Sequence, residues 1–351
     1  MRTIISLILF LLMLTSCSEK KASINDDLII ANGQMPALAK DKDDNLHLVY
    51  GTGDSIMYVY SDDKAITFSR PVLISVIPHV YIYATRGPQI AATDKGIVIS
   101  ACTAEGNIYS FYKENGNDWK QGNKVNDADT VCKEGLMALS ADGNNTFAVW
   151  LDLRGNKRNK IYGAKSIDGG RTWLKNIMIY TSPDSSVCEC CKPSVVVWKN
   201  NVYVMFRNWL QGNRDLYLVQ SNDAGDTFGQ AQKLGTGSWK LNGCPMDGGN
   251  LTVDNKGNVQ TVWRRGVKIY NDNPGMPEKE IGEGKGCAIE TVNDKNVYAW
   301  AENGRVIVVK PDGEKKSLGE GNQPVLKAID ASHLLCIWEN NKQIHASVIQ
   351  L

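Results

Sequence analysis

Four arginines stand where an apolar run meets a loop. Arg86 lies in Tyr83-Ala84-Thr85-Arg86-Gly87-Pro88, and Arg154 closes Trp150-Leu151-Asp152-Leu153-Arg154. Arg207 lies in Met205-Phe206-Arg207-Asn208-Trp209, and Arg264 in Val262-Trp263-Arg264-Arg265-Gly266. A guanidinium is a planar fork of donors, suited to a carboxylate or sulfate. They are candidates for binding such a ligand, with Asn208 and Trp209 as neighbours in the same substrate-binding set. The other reading is local pairing with acids such as Asp152, and the residues leave both open. Cysteines form a second constellation. Cys188, Cys190 and Cys191 crowd one segment, and Cys244 lies in Asn242-Gly243-Cys244-Pro245-Met246-Asp247-Gly248. Cys132 and Cys287 precede comparable apolar runs. Three chemistries fit them: disulfides, a thiolate site for copper or zinc, and a redox thiol. Adjacent cysteines rarely bond each other, so the expected bridge runs from the Cys188–Cys191 cluster to Cys244. No cofactor is expected, with copper or zinc at the cluster as the alternative.

Repeated strands must position these groups. From Leu28 onward one pattern recurs: a short strand, a very apolar strand, an alternating strand, a turn and a poorer fourth strand. Second strands read as Leu46 to Tyr50, Ile97 to Cys102, Thr146 to Leu151 and Asn201 to Phe206, then Val259 to Trp263, Val297 to Trp300 and His333 to Trp338. Seven repeats count out. The last supplies three strands, and Leu28 to Ala31 is expected to add its fourth. No helical period appears. Four-stranded repeats closing in a circle make a β-propeller; a β-sandwich is the alternative.

One turn marks the third strands. Ser166-Ile167-Asp168-Gly169-Gly170-Arg171-Thr172-Trp173 recurs as Ser221 to Phe228 and, with Ala65 in the Gly position, as Ser61 to Phe68. Short Ser and Asp side chains bond nearby amides, Gly supplies a positive φ, and the aromatic anchors the turn. This turn resembles the Asp-box (BNR repeat) of sialidase-like β-propellers. The cysteine motifs resemble those of an exported lipoprotein subgroup of such proteins. The resemblance implies an all-β single propeller. Sialidases have six blades, whereas the count here is seven, with six as the alternative. It also implies that Asp-boxes lie on one face. The chemistry then belongs on the opposite rim, which gathers the four arginines and six of the cysteines.

Sialidases clamp the sialic-acid carboxylate with arginines, and they use a Tyr nucleophile, a Glu that activates it and an Asp acid/base. By resemblance Arg86, Arg154, Arg207 and Arg264 would form the clamp. Tyr83 (or Tyr81), Glu134, and Asp152 or Asp247 would be the catalytic candidates. The usual Phe/Tyr-Arg-Ile-Pro segment is replaced by Thr85-Arg86-Gly87-Pro88, and packing or glycan stacking is the competing role of Tyr81 and Tyr83. The implied function is recognition of an anionic glycan or other carboxylate ligand, with hydrolysis as a further step if the chain is an exo-sialidase-like glycoside hydrolase. The alternatives are a non-catalytic binding or assembly module and a metal or thiol protein.

The bulk numbers agree with that class. The chain has 351 residues, 32 of them Gly, and a net charge of +1, which gives no argument for nucleic acid as a partner. Arg2, the apolar Ile4 to Leu14 and Leu14-Thr15-Ser16-Cys17 read as a lipoprotein signal over residues 1–16. Cys17 would carry the lipid, residues 17–27 would be a tether, and 28–351 the propeller. The expected setting is the bacterial cell envelope, facing periplasm or surface. The protein would be a monomer touching the membrane only through its lipid.

Overall fold

A computed structural model describes residues 27–184 and 186–351. The expected signal over 1–16, the lipidated Cys17 and the tether, apart from Asp27, lie outside the described residues. Among the described residues the regular structure is strand, arranged as seven four-stranded antiparallel sheets. The fold is therefore a seven-bladed β-propeller, and the six-bladed count of sialidases does not apply. Blade 1 runs Gln34–Lys40, Leu46–Thr52, Ser55–Ser61 and Val72–Val76. Blade 2 begins at Gln89, blade 3 at Met137, blade 4 at Ser194, blade 5 at Asn250, blade 6 at Lys285 and blade 7 at Asn322. The outer strand of blade 7 is Leu28–Asn32, which pairs antiparallel with Gln343–Gln350. The two ends of the propeller chain thus share one sheet.

The core is divided rather than central. Seven clusters of buried apolar residues lie one between each pair of neighbouring blades. Successive strand side chains point to opposite faces, and a blade has a neighbour on both. Its second strand is therefore buried on both faces and reads as a continuous apolar run. Gly96–Cys102 and Asn145–Asp152 show this. Between blades 3 and 4, Phe147, Val149 and Leu151 meet Val195, Val197 and Val204.

Each Asp-box closes the turn after a third strand. Asp168 accepts the Thr172 amide at 2.9 Å and the Thr172 hydroxyl at 2.6 Å. Ser166 Oγ accepts the Gly170 amide at 3.0 Å. The bonds around Asp223 and Asp63 repeat this pattern. Ala65 holds the Gly position at φ 65°, in the left-handed region, where Gly170 and Gly225 lie at 83° and 89°. The bond network thus holds a Cβ-bearing residue where Gly is otherwise used. The connectors between blades, and the loops joining second to third strands, lie at the other end of the molecule.

Candidate functional site

The arginine donors are engaged by the protein itself. Arg207 is only 1% exposed. Its Nε donates to the Asp247 carbonyl at 3.0 Å, Nη1 to the Arg214 carbonyl at 2.6 Å and Nη2 to the Arg264 carbonyl at 2.9 Å. Arg264 donates to Asp247 Oδ2 at 2.6 Å and to the carbonyls of Gly266 and Pro245. Both guanidiniums lie 5.2 Å from the Trp239 ring, so the indole is shared between them. Arg154 binds Asp152, Asp127 and Asn176 and lies over the Tyr162 ring. The expected four-arginine clamp is therefore not assembled: Arg154, Arg207 and Arg264 tie loops together.

The acids follow suit. Asp152 is 0% exposed and accepts from the Trp150 indole and from Arg154, so it has no open oxygen for acid/base work. Asp247 is buried between Arg264 and the Gly286 amide. Asn208 is buried, donating to the Tyr180 hydroxyl at 2.8 Å. Trp209 is half-buried and stacks under Arg214. The roles expected of Asp152, Asp247 and Asn208 need solvent access that these positions lack.

Arg86 is also held by carbonyls, its Nε on that of Glu134 at 2.5 Å and Nη1 on that of Ala84 at 3.0 Å, but its Nη2 faces the Glu134 carboxylate beside the exposed Tyr83. Tyr83 and Arg86 close a tight turn, with the Arg86 amide bonded to the Tyr83 carbonyl at 2.9 Å. Its two central residues, Ala84 and Thr85, have φ 47° and 70°. Two left-handed residues in a row normally call for Asn-Gly, and a β-branched Thr there is costly. The Thr85 hydroxyl is buried without a hydrogen-bond partner. The turn presents the Tyr83 ring, 53% exposed. Tyr81 meets it edge-on at 5.7 Å between centroids, its own hydroxyl bonded to the Lys133 carbonyl. Gly135 seats the Tyr81 ring: a Cβ there would fall 2.2 Å from it. Arg86 lies 5.5 Å from the Tyr83 ring centre and 3.8 Å from the Glu134 carboxylate. Burial pushes the Glu134 carboxyl above its ordinary range, against the opposing pull of Arg86. An exposed aromatic face, a guanidinium and a raised carboxyl thus meet at the mouth of blades 2 and 3.

The cysteines divide. Cys190 and Cys244 are joined by a disulfide between the connectors entering blades 4 and 5. The sulfurs of Cys188, Cys190 and Cys191 lie within 4.8 Å of one another. With Cys190 bonded to Cys244, they are two thiols beside a disulfide rather than three open thiolates. Cys132 and Cys287 are not part of this cluster. Both are buried free thiols, and Cys287 lies inside the inner strand Lys285–Val292 rather than in a loop. The Cys132 carbonyl accepts the Cys102 thiol at 3.3 Å. Neither forms a disulfide bridge.

Sequence reasoning missed Arg214, which donates to Cys188 Sγ at 3.1 Å. It lies in the loop before a third strand rather than at the end of a second, so it fell outside the repeated arginine position. Lys192 was also missed. Its ammonium donates to Gln89 Oε1 at 2.8 Å, and burial pushes it down to about 8. Two cavities lie elsewhere. One of about 570 Å³ lies among the inner strands along the axis. Another, of about 860 Å³, opens beside blades 5, 6 and 7 around Lys295, Lys310 and Ser332.

No protein-family model matches this chain, and no curated protein matches it. Solved structures do. A Dyadobacter fermentans protein of unknown function is 16% identical, covering 93% of this chain and 98% of that one, with a TM-score of 0.50. A triple arginine-to-alanine mutant of AofleA from Arthrobotrys oligospora is 10% identical, covering 92% and 88%, also at 0.50. NanB sialidase of Streptococcus pneumoniae is 13% identical over 93% and 69%, with a TM-score of 0.48. The first two likenesses show the fold alone.

Proposed function

We propose that this chain is an exported, lipid-anchored propeller that binds an anionic glycan at the mouth formed by Tyr81, Tyr83, Arg86 and Glu134. The observation that carries the reading is the left-handed Ala84-Thr85 turn. Residues held in such regions cost about 1–3 kcal/mol each and collect at ligand sites. Here the cost goes into presenting an aromatic ring beside an ion pair. A sugar's apolar face stacks on Tyr83. Its carboxylate or sulfate takes the Arg86 edge, displacing Glu134, whose raised carboxyl is ready to accept a proton. Anchoring rests on the Arg2 to Cys17 signal and places the protein on the cell envelope.

The test is a glycan array followed by calorimetry. Wild type should bind sialylated, uronic or sulfated glycans, and Tyr83→Ala should weaken binding roughly 2- to 12-fold, the worth of one aromatic contact. Array-wide silence, or unchanged affinity in Tyr83→Ala, overturns the reading. The raised Glu134 carboxyl supports one second reading, hydrolysis with Glu134 as proton donor. Turnover of a fluorogenic sialoside that is lost in Glu134→Gln would favour it.

A further inference from the structure

Two buried thiols stand behind a solvent-facing disulfide. Cys188 and Cys191 are each 1% exposed, whereas Cys244 is exposed and Cys190 half-buried. Cys188 Sγ lies 3.8 Å from Cys190 Sγ and 3.4 Å from Cys191 Sγ. Arg214 reaches Cys188 Sγ at 3.1 Å and is itself held over the Trp209 ring, 5.0 Å from its centre. The Arg214 Nε is fixed on the Leu241 carbonyl, in the loop that carries Cys244. A guanidinium on a sulfur favours the thiolate, and a thiolate is the nucleophile in disulfide exchange.

We propose that Cys188, Cys190 and Cys244 form a thiol–disulfide exchange site, with Cys188 as the attacking thiolate and an external disulfide as the substrate class. The Cys188 thiolate attacks Cys190 Sγ. A Cys188–Cys190 bond forms, the Cys190–Cys244 bond breaks, and Cys244 leaves with the electron pair as a thiolate. No oxidant or reductant is consumed. The released Cys244 thiolate, on an exposed loop, attacks one sulfur of the external disulfide. A mixed disulfide forms, and the other half leaves as a thiolate.

Other groups around the cluster fit these roles. Cys191 Sγ lies 3.4 Å away and, once Cys188 is ionised, is the donor of that pair; with Arg214, the Cys190 amide and Arg207 it brings Cys188 down to about 6 despite burial. Burial, and the thiolate beside it, keep Cys191 itself well above the ordinary thiol range, so it is a positioning residue. The other charges nearby are Asp247, held by Arg264, and Arg207, held by carbonyls. The buried Cys287 thiol, near Asp247 and Arg207, stays protonated.

Oxidised glutathione is the probe, with peptide mass mapping after acid quench. Wild type should acquire glutathione on Cys244 together with a Cys188–Cys190 disulfide. Cys188→Ser should form this adduct at least 10-fold more slowly and keep Cys190–Cys244 intact. In wild type the rate should rise through pH about 6 rather than through the ordinary thiol value of 9.0. This profile tests the proposal even if Cys188→Ser folds poorly. In Cys191→Ala the midpoint should move up. Equal Cys244 adduct in Cys188→Ser overturns the proposal, as does a profile centred near the ordinary thiol value. One zinc or copper per chain on four reduced cysteines also overturns it. Glycan binding at Tyr83 does not enter any of these readouts.

Discussion

Arg207 separates two views of this rim most sharply. As a ligand clamp, its loss would remove binding and spare the fold. In the structure it is a strut. Arg207→Ala would remove three hydrogen bonds from a cation to the carbonyls of Asp247, Arg214 and Arg264. Such bonds contribute about 1.5–3 kcal/mol each. Loss of the Trp239 contact adds about 2 kcal/mol. Against this, the variant no longer buries a cation, which returns several kcal/mol. The balance is a destabilisation of about 3–5 kcal/mol, the usual result of removing one member of a buried charged network. With a urea slope of about 3 kcal/mol per molar or slightly more, the unfolding midpoint should fall by roughly 1–1.5 M. Arg207→Lys should recover only part of that, because one ammonium cannot span three carbonyls on separate loops. The assay is urea unfolding followed by tryptophan fluorescence, with glycan binding measured on the same samples. If both variants keep the wild-type midpoint but lose glycan binding, the strut assignment is wrong and Arg207 belongs to the ligand.

Four further outcomes are expected. Gly225→Ala places a Cβ 2.3 Å from Phe147 at φ 89°. It should cost about 2–5 kcal/mol, from a left-handed Ala and an overpacked blade interface, seen as a lower melting temperature. Gly116→Ala, at φ 77° with nothing nearby, should cost only the dihedral part, about 1–2 kcal/mol. Acid should loosen the Asp-boxes. Hydrogen bonds from Ser221 and Thr227 hold Asp223 below its ordinary value of 3.8, and in Asp168 those from Thr172 and Ser166 outweigh burial. A depressed carboxyl stabilises above its unfolded value and loses that contribution as pH falls through the folded one. Melting temperature should therefore drop below pH about 4, and less steeply in Asp168→Asn. Affinity for an anionic glycan should rise as pH falls through the raised Glu134 range, since a protonated Glu134 no longer competes for Arg86 Nη2. Glu134→Gln should flatten that profile in calorimetry.

Much of the fold was legible because it is local and repeated. The Ser-x-Asp-x-Gly-x-Thr turns bond within seven residues of chain, so their function can be read from spacing. The very apolar second strands announce burial on both faces. Together these features order the strands and put Arg86, Arg207 and Cys244 at one end of the molecule. The expected link from the Cys188–Cys191 cluster to Cys244 was legible too, because adjacent cysteines rarely bond each other. What each group does there was not legible. The three carbonyls that hold Arg207 come from Arg214, Asp247 and Arg264, the farthest of them 57 residues away. A sequence shows a guanidinium but not whether its donors are already taken. Cys188 is drawn toward the thiolate by Cys191 and by Arg214, which reaches it from a different loop. Tyr83 becomes a presented ring because its turn is held left-handed against the preference of Ala and Thr. Hydrogen-bond saturation, charge proximity and backbone strain depend on loops that meet only when the ring closes, so the tertiary structure alone decided them.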